Sequence, residues 1–312
     1  MPSEDETWNF LRVRLARDAE ELVVSELFDS GATGTIVLRE TAQEVEIGAY
    51  FASDISLEDV IATLKERLLK ATLTGSLHES ELGQVQGQDW LEKWKEGFDP
   101  VEVGERLLIA PSWRIDDLIS GVICGTSDGW NETGHPILIR DRIVIQIDPG
   151  MAFGTGTHET TRLCLEAIER NWKGGKFLDV GTGTGILAIA AAVLVAASEI
   201  VAVDIDPVAV DIARQNLAVN HLTRVEVFQG LASQWASRDF DVVVANLTAG
   251  VIVDNLESLA GAVKPSGCLI LSGILTEQAA DVTRALNLKG LPTVERSDAG
   301  EWACLVARIS GA

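Results

Sequence analysis

The chain has 312 residues, 46% of them hydrophobic, and a formal net charge of −22. That apolar content is too high for a disordered chain, and at roughly 100–200 residues per domain the length implies two domains. The acidic balance disfavours nonspecific binding to DNA or RNA, which needs clustered Lys and Arg; it fits a basic partner or plain solubility. Cys124, Cys164, Cys268 and Cys304 show no C-x-x-C spacing and no companion His pair. Neither a metal site nor a disulfide framework is expected, and reduced thiols fit a cytoplasmic protein. The start, Met1-Pro-Ser-Glu-Asp-Glu, is acidic where a signal peptide would be basic. The longest apolar run, Ile186 to Ala197, is too short to span a membrane and reads as a buried helix.

Residues 1–80 alternate strand and helix signals. Leu11, Val13 and Leu15 recur at every second position, as in a half-buried strand. Asp18 and Glu21 are spaced as a capping box for a helix burying Leu22, Leu27 and Phe28 and stopping at Gly31. Strand-like runs follow at 35–39 and 45–51. Ser56 then caps a second helix with Leu57, Val60, Ile61, Leu64 and Leu68 at helical spacing. A last strand is expected over 72–77. The order βαββαβ predicts a small α+β, ferredoxin-like domain. It carries no catalytic signature and reads as a recognition module.

Residues 81–100 read as a linker with a helix. The stretch 79–89 is polar, and Trp90, Trp94 and Phe98 fall on one helical face. From 101 to 147, strands at 106–110 and 139–147 flank an expected loop at 114–136.

From 159 onward helices alternate with strand-like runs at 176–180, 200–204, 225–228, 241–245 and 268–272. This βαβ rhythm predicts a mostly parallel sheet covered on both faces. Two further runs, 293–296 and 303–309, are joined by a link that permits only a hairpin. The expected sheet therefore has seven strands with an antiparallel pair at its end, within a domain covering 101–312.

The run at 176–180 leads into Gly181, Gly183 and Gly185 and then a helix. A glycine turn there lets a ligand approach the backbone. The dinucleotide fingerprint G-x-G-x-x-G would need glycine at 186, which is Ile186. Asp204 ends the next strand, where a carboxylate can accept both hydroxyls of an adenosine ribose. Its competing role, capping the next helix, suits Asp206 better. Asn246 ends the fourth strand of the series and can accept a hydrogen bond from an amine. The segment from Asp148 to Thr161, rich in Gly and Thr, reads as a loop wrapping a ligand. Within it His158 reads as a positioning residue ahead of a proton acceptor.

Taken together, the Asp148–Thr161 segment, the glycine turn, Trp90-Leu-Glu-Lys-Trp-Lys, residues 106–113 and Ser272-Gly-Ile-Leu resemble the ribosomal protein L11 methyltransferase (PrmA) family. The resemblance implies a seven-stranded Rossmann-like class I methyltransferase domain behind the ferredoxin-like one. It implies S-adenosyl-L-methionine as methyl donor, with Thr161, Gly181, Gly183, Asp204 and Asn246 contacting it and Asn246 also serving the chemistry. It further implies ribosomal protein L11 as substrate, methylated on lysine or N-terminal amines by a cytoplasmic monomer. The alternatives are another protein's lysines, a small molecule, or a nucleic-acid amine. The last is disfavoured because Leu247-Thr248-Ala249 supplies no aromatic to stack on a base.

Overall fold

In the computed structural model, residues 7–41, 43–70, 73, 75–86, 99–119, 138–148, 158–236 and 240–308 are described. They belong to two compact units, 1–98 and 99–312.

In the first unit the elements run β1 (Thr7–Ala16), α1 (Glu20–Asp29), β2 (Ala32–Glu40), β3 (Glu44–Ala52), α2 (Leu57–Lys70) and β4 (Leu77–Gln86). The strands form one antiparallel sheet in the order β2-β3-β1-β4. Period-two alternation divides its faces. Leu11, Val13 and Leu15 are fully buried with Val23, Leu27, Val60, Leu64 and Leu68 of the two helices. Arg12 and Arg14, on the opposite side, pair with Glu46, Glu81 and Glu79 of the neighbouring strands. Ser56 caps α2 by accepting the Asp59 N–H.

Three local expectations need correction. The last strand occupies 77–86 rather than 72–77, so most of the polar stretch expected to be linker is sheet. As an edge strand it needs no apolar face, and its carboxylates are matched to the arginines of β1. Helix α1 is entered through a 3-10 turn at Arg17–Ala19, which makes Ala19 the N-cap without a side-chain bond in place of the expected capping box. Phe28 is exposed rather than buried. The expected aromatic stripe at 90–98 lies outside the described residues.

The second unit starts with a small sheet, β5 (Val101–Val103), β6 (Leu107–Ala110), β7 (Leu138–Ile139) and β8 (Arg142–Gln146), ordered β5-β6-β8-β7. Helix α3 (Ser112–Ile119) follows β6, so the stretch expected as a loop from 114 opens as helix; 120–137 are outside the described residues. Asp148 accepts the Ser112 N–H at 2.6 Å and so holds the start of α3.

The main sheet uses β9 (Gly175–Val180), β10 (Ser198–Asp204), β11 (Val225–Gln229), β12 (Phe240–Asn246), β13 (Val263–Leu275), β14 (Thr293–Ala299) and β15 (Trp302–Arg308). Their order is β11-β10-β9-β12-β13-β15-β14. The first five positions are parallel, and β15 runs against both its neighbours. Helices α4 (Glu159–Asn171), α5 (Ile186–Leu194) and α6 (Pro207–Val219) build a core with one face of the sheet. Helices α7 (Ala249–Ala262) and α8 (Ala279–Leu288) build a second core with the other. Helix α5 is apolar all round because it is enclosed on all sides.

From the central β9 the chain moves outward through β10 and β11, then returns to β12 on the other side. This reversal is a topological switch point, where strand ends diverge and leave a crevice. Asn220 at the end of α6 ties the small sheet to this domain: its Oδ1 accepts the Gln146 N–H at 2.8 Å and its Nδ2 donates to the Gln146 carbonyl at 2.6 Å. Among the described residues, no helix is long and apolar enough to cross a membrane.

Candidate active site

The turn after β9 is suspended from β10. The N–H groups of Gly181 and Thr182 donate to the Val203 carbonyl at 2.8 and 3.1 Å. Gly181 adopts φ +71°, and a Cβ there would lie 2.6 Å from Leu247 Cδ2. Gly185 closes the turn as the N-cap of α5 and offers no side-chain cap. Asp179, fully buried one step before the strand's end, takes over that task. Its Oδ2 accepts the Thr182 hydroxyl at 2.6 Å and the Ala188 N–H at 3.2 Å. Its Oδ1 is buried without a hydrogen-bond partner among the described residues. Burial, with the nearby Asp204 charge, pushes the Asp179 carboxyl up to about 7, against the opposing pull of those two donors.

Asp204 stands at the end of β10. Its Oδ2 accepts the Gly183 N–H at 3.0 Å, and its Oδ1 accepts the Asp206 N–H at 3.0 Å. Two fixed donors therefore orient the carboxylate, and each oxygen keeps a lone pair for a ligand. Asp206 caps α6 by accepting the Val208 N–H at 2.8 Å, so the capping role belongs to it. Ile205 and Leu231, in the loops after β10 and β11, are 68% and 56% exposed. They offer apolar surface beside Asp204, suited to a flat aromatic group. Sequence reasoning missed both; the signal was a large aliphatic residue set among Asp or Gly just past a strand.

Across the switch point, Asn246 ends β12. Its Nδ2 donates to Thr160 Oγ1 at 3.2 Å and Thr161 Oγ1 at 3.4 Å. Its Oδ1 is buried and has no hydrogen-bond partner among the described residues. Both threonines are buried in the first turn of α4. His158 is the N-cap of that helix, with Nδ1 accepting the Thr160 N–H at 3.3 Å and lying 2.8 Å from Thr160 Oγ1. Trp302 packs edge-on against the imidazole. The end of the expected ligand loop is thus carried to the fourth strand; its middle, 149–157, lies outside the described residues.

Two constellations result: Gly181, Gly183 and Asp204 on one side, Thr161 and Asn246 on the other. They meet where Leu247 covers Gly181. Beneath them Cys164 is buried against Cys304, and that contact together with burial raises its thiol well above the ordinary range, so it is no nucleophile near neutral pH. The groups left open to a ligand are acceptors: the spare lone pairs of Asp204 and Oδ1 of Asn246, which has no partner among the described residues. A ligand that fits them carries hydroxyl or ammonium donors and positive charge, which the ribose, amine and sulfonium of S-adenosylmethionine supply.

A family model described as "Ribosomal protein L11 methyltransferase (PrmA)" matches residues 7–310. A curated protein named ribosomal protein L11 methyltransferase, from Caldicellulosiruptor saccharolyticus, is 32% identical, covering 96% of this chain and 99% of its own length. One of the same name from Citrifermentans bemidjiense is 39% identical, covering 84% and 81%. Among solved structures, the ribosomal protein L11 methylase from Lactobacillus delbrueckii subsp. bulgaricus is similar with a TM-score of 0.55 and 29% identity. The match covers 68% of this chain and 100% of that one.

Proposed function

The chain belongs to the ribosomal protein L11 methyltransferase (PrmA) family, and we infer that its catalytic centre is the crevice between Asp204 and Asn246. It is an S-adenosylmethionine-dependent protein methyltransferase with an α/β class I fold. When bound, S-adenosylmethionine supplies a methyl group made electrophilic by a sulfonium. In this reading Asp204 accepts the ribose hydroxyls, and Gly181 and Gly183 admit the ligand close to the backbone. Thr161 and Asn246 hold its opposite end.

The observation that carries the reading is the buried Oδ1 of Asn246, which has no hydrogen-bond partner among the described residues. A buried acceptor without a donor is costly, roughly 1–3 kcal/mol, and a substrate amine would satisfy it. A lysine amine has an unperturbed pKa of about 10.4 and must lose a proton before it can attack. Desolvation in the crevice favours the neutral form. Asn246 then accepts one of its N–H groups and directs the lone pair. Positioning and desolvation are the protein's main contributions.

The first unit is proposed as a ferredoxin-like domain that recognises the substrate. Its βαββαβ order and its sheet order, β4-β1-β3-β2 from the opposite edge, support that reading. The substrate is ribosomal protein L11, as the relatives' names indicate, and the enzyme acts as a cytoplasmic monomer without binding nucleic acid. The net charge of −22 supports the last point and suits a basic protein substrate. The test is transfer of labelled methyl from S-adenosylmethionine to purified L11, other ribosomal proteins, RNA and a metabolite extract. Label on L11 amines is the expected result. Label confined to another protein would reassign the substrate, and label confined to RNA or metabolites would overturn the protein methyltransferase reading.

A further inference from the structure

The hydrogen bonds from His158 to Asn246 have a fixed direction. A backbone N–H can only donate, and that of Thr160 points at His158 Nδ1. Nδ1 therefore carries a lone pair, and the proton of the neutral ring sits on Nε2. The Thr160 hydroxyl, 2.8 Å from the same nitrogen, must give its single hydrogen to it. Its oxygen is left as an acceptor only. Asn246, 3.2 Å away, can meet that oxygen only with its NH2. The Thr161 hydroxyl oxygen receives the same NH2 at 3.4 Å. The amide oxygen is then turned away from both threonines, to the buried position where it has no partner among the described residues. With the proton on Nδ1 each step reverses: the hydroxyl could donate to Asn246, and the amide could flip.

We propose that His158 and Thr160 are positioning residues for methyl transfer, and that their one-way hydrogen-bond chain keeps the Asn246 oxygen facing the reacting amine. The proposal rests on the assignment of Asn246 to the reacting centre. Neither residue acts as the base: the His158 lone pair nearest the centre is already used by Thr160. The chain places an acceptor, and it does so through a helix cap, so folding of the first turn of α4 and orientation of the amide are one event.

The test has a spectroscopic and a kinetic arm. In protein free of cofactor, nitrogen chemical shifts of the imidazoles, with His158 assigned by its loss in His158→Asn, report the tautomer. A non-protonated Nδ1 with a protonated Nε2 is expected; a protonated Nδ1 at neutral pH overturns the proposal. In turnover, Thr160→Val should lower kcat roughly tenfold or more, with the Kd for S-adenosylmethionine changed by less. Thr160→Ser, which keeps the hydroxyl, should restore kcat. His158→Asn should retain more kcat than His158→Leu, because an Asn oxygen can cap α4 and accept both Thr160 hydrogens. Loss of turnover in Asn246→Ala with none in Thr160→Val overturns the positioning role alone. Wild-type turnover in Asn246→Ala overturns the assignment of the centre and the positioning role with it. The nitrogen shifts decide the direction of the chain even for a variant that folds poorly, since they are read on the unaltered protein.

Discussion

Leu247 closes over Gly181: a Cβ added to the glycine would stand 2.6 Å from Leu247 Cδ2. The leucine is itself fixed, because its N–H donates to the Ser272 carbonyl at 3.0 Å. The turn after β9 and the loop after Asn246 therefore set each other's position. Gly181→Ala should cost about 3 kcal/mol, the sum of a left-handed alanine (roughly 1–2) and overpacking (roughly 1–3). Adding Leu247→Ala should recover the steric share but not the backbone share. Denaturant titration of the three variants measures both. Full recovery in the double variant would show that the φ of +71° carries no cost.

Gly273 meets the same residue from below, where the obstacle is the Leu247 carbonyl oxygen, 2.5 Å from the added Cβ. A backbone oxygen cannot rotate away as a leucine methyl can. Gly273→Ala should therefore be more destabilising than Gly181→Ala, and Leu247→Ala should not rescue it. Rescue would mean that the side chain, rather than the backbone, sets the clash.

Asp179 predicts a pH dependence. Its carboxyl is raised from an ordinary 3.8 to about 7 in the fold, chiefly by burial. Between those values the folded protein holds more protons than the unfolded one. The stability contributed by this group is complete below about pH 4 and is lost as pH rises through 7. Asp179→Asn does not titrate. Its stability relative to wild type should therefore climb from about pH 4 to about pH 7 and level off above. Paired thermal or denaturant melts across that range check this, and a difference that stays flat would mean an ordinary carboxylate.

Asn220 supplies the two hydrogen bonds that fasten β8 to α6. Asn220→Ala leaves the Gln146 N–H and carbonyl without these partners and should cost about 3 kcal/mol. Hydrogen exchange localises the effect. The Gln146 amide should lose protection while those of β9 and β12 keep theirs, and uniform loss would show that the clamp serves the whole domain.

How much of this was legible in the sequence varies with burial. The inner strands of the main sheet could be read because strands covered on both faces carry continuous apolar runs, such as Val242 to Ala245. Strand β4 escaped because an edge strand with both charge and glycine lacks that signature; only the period-two match of Glu79 and Glu81 to Arg14 and Arg12 marks it. Helix α3 escaped because it is eight residues long and its start is fixed by Asp148, 36 positions away. The placement of Gly181, Gly183 and Asp204 was legible because each lies at or just past a strand end. The bond from Asn246 to Thr160 was not, since it joins positions 86 apart and depends on β12 arriving next to α4. The resemblance to a family named Thr161 and Asn246 separately; only the fold puts them in contact.

The most direct test of the account is calorimetric titration of the protein with S-adenosylmethionine, wild type against Asp204→Ala. One site is expected, with an affinity that falls by more than about 100-fold from wild type to variant, the equivalent of two lost hydrogen bonds to a charged acceptor. Asp204→Ala also leaves the Gly183 and Asp206 N–H groups without their acceptor, so its melting temperature in the absence of cofactor should fall modestly while the transition stays cooperative. Equal affinity in the two proteins would contradict the placement of the ribose at Asp204, and with it the crevice between Asp204 and Asn246 as the catalytic centre.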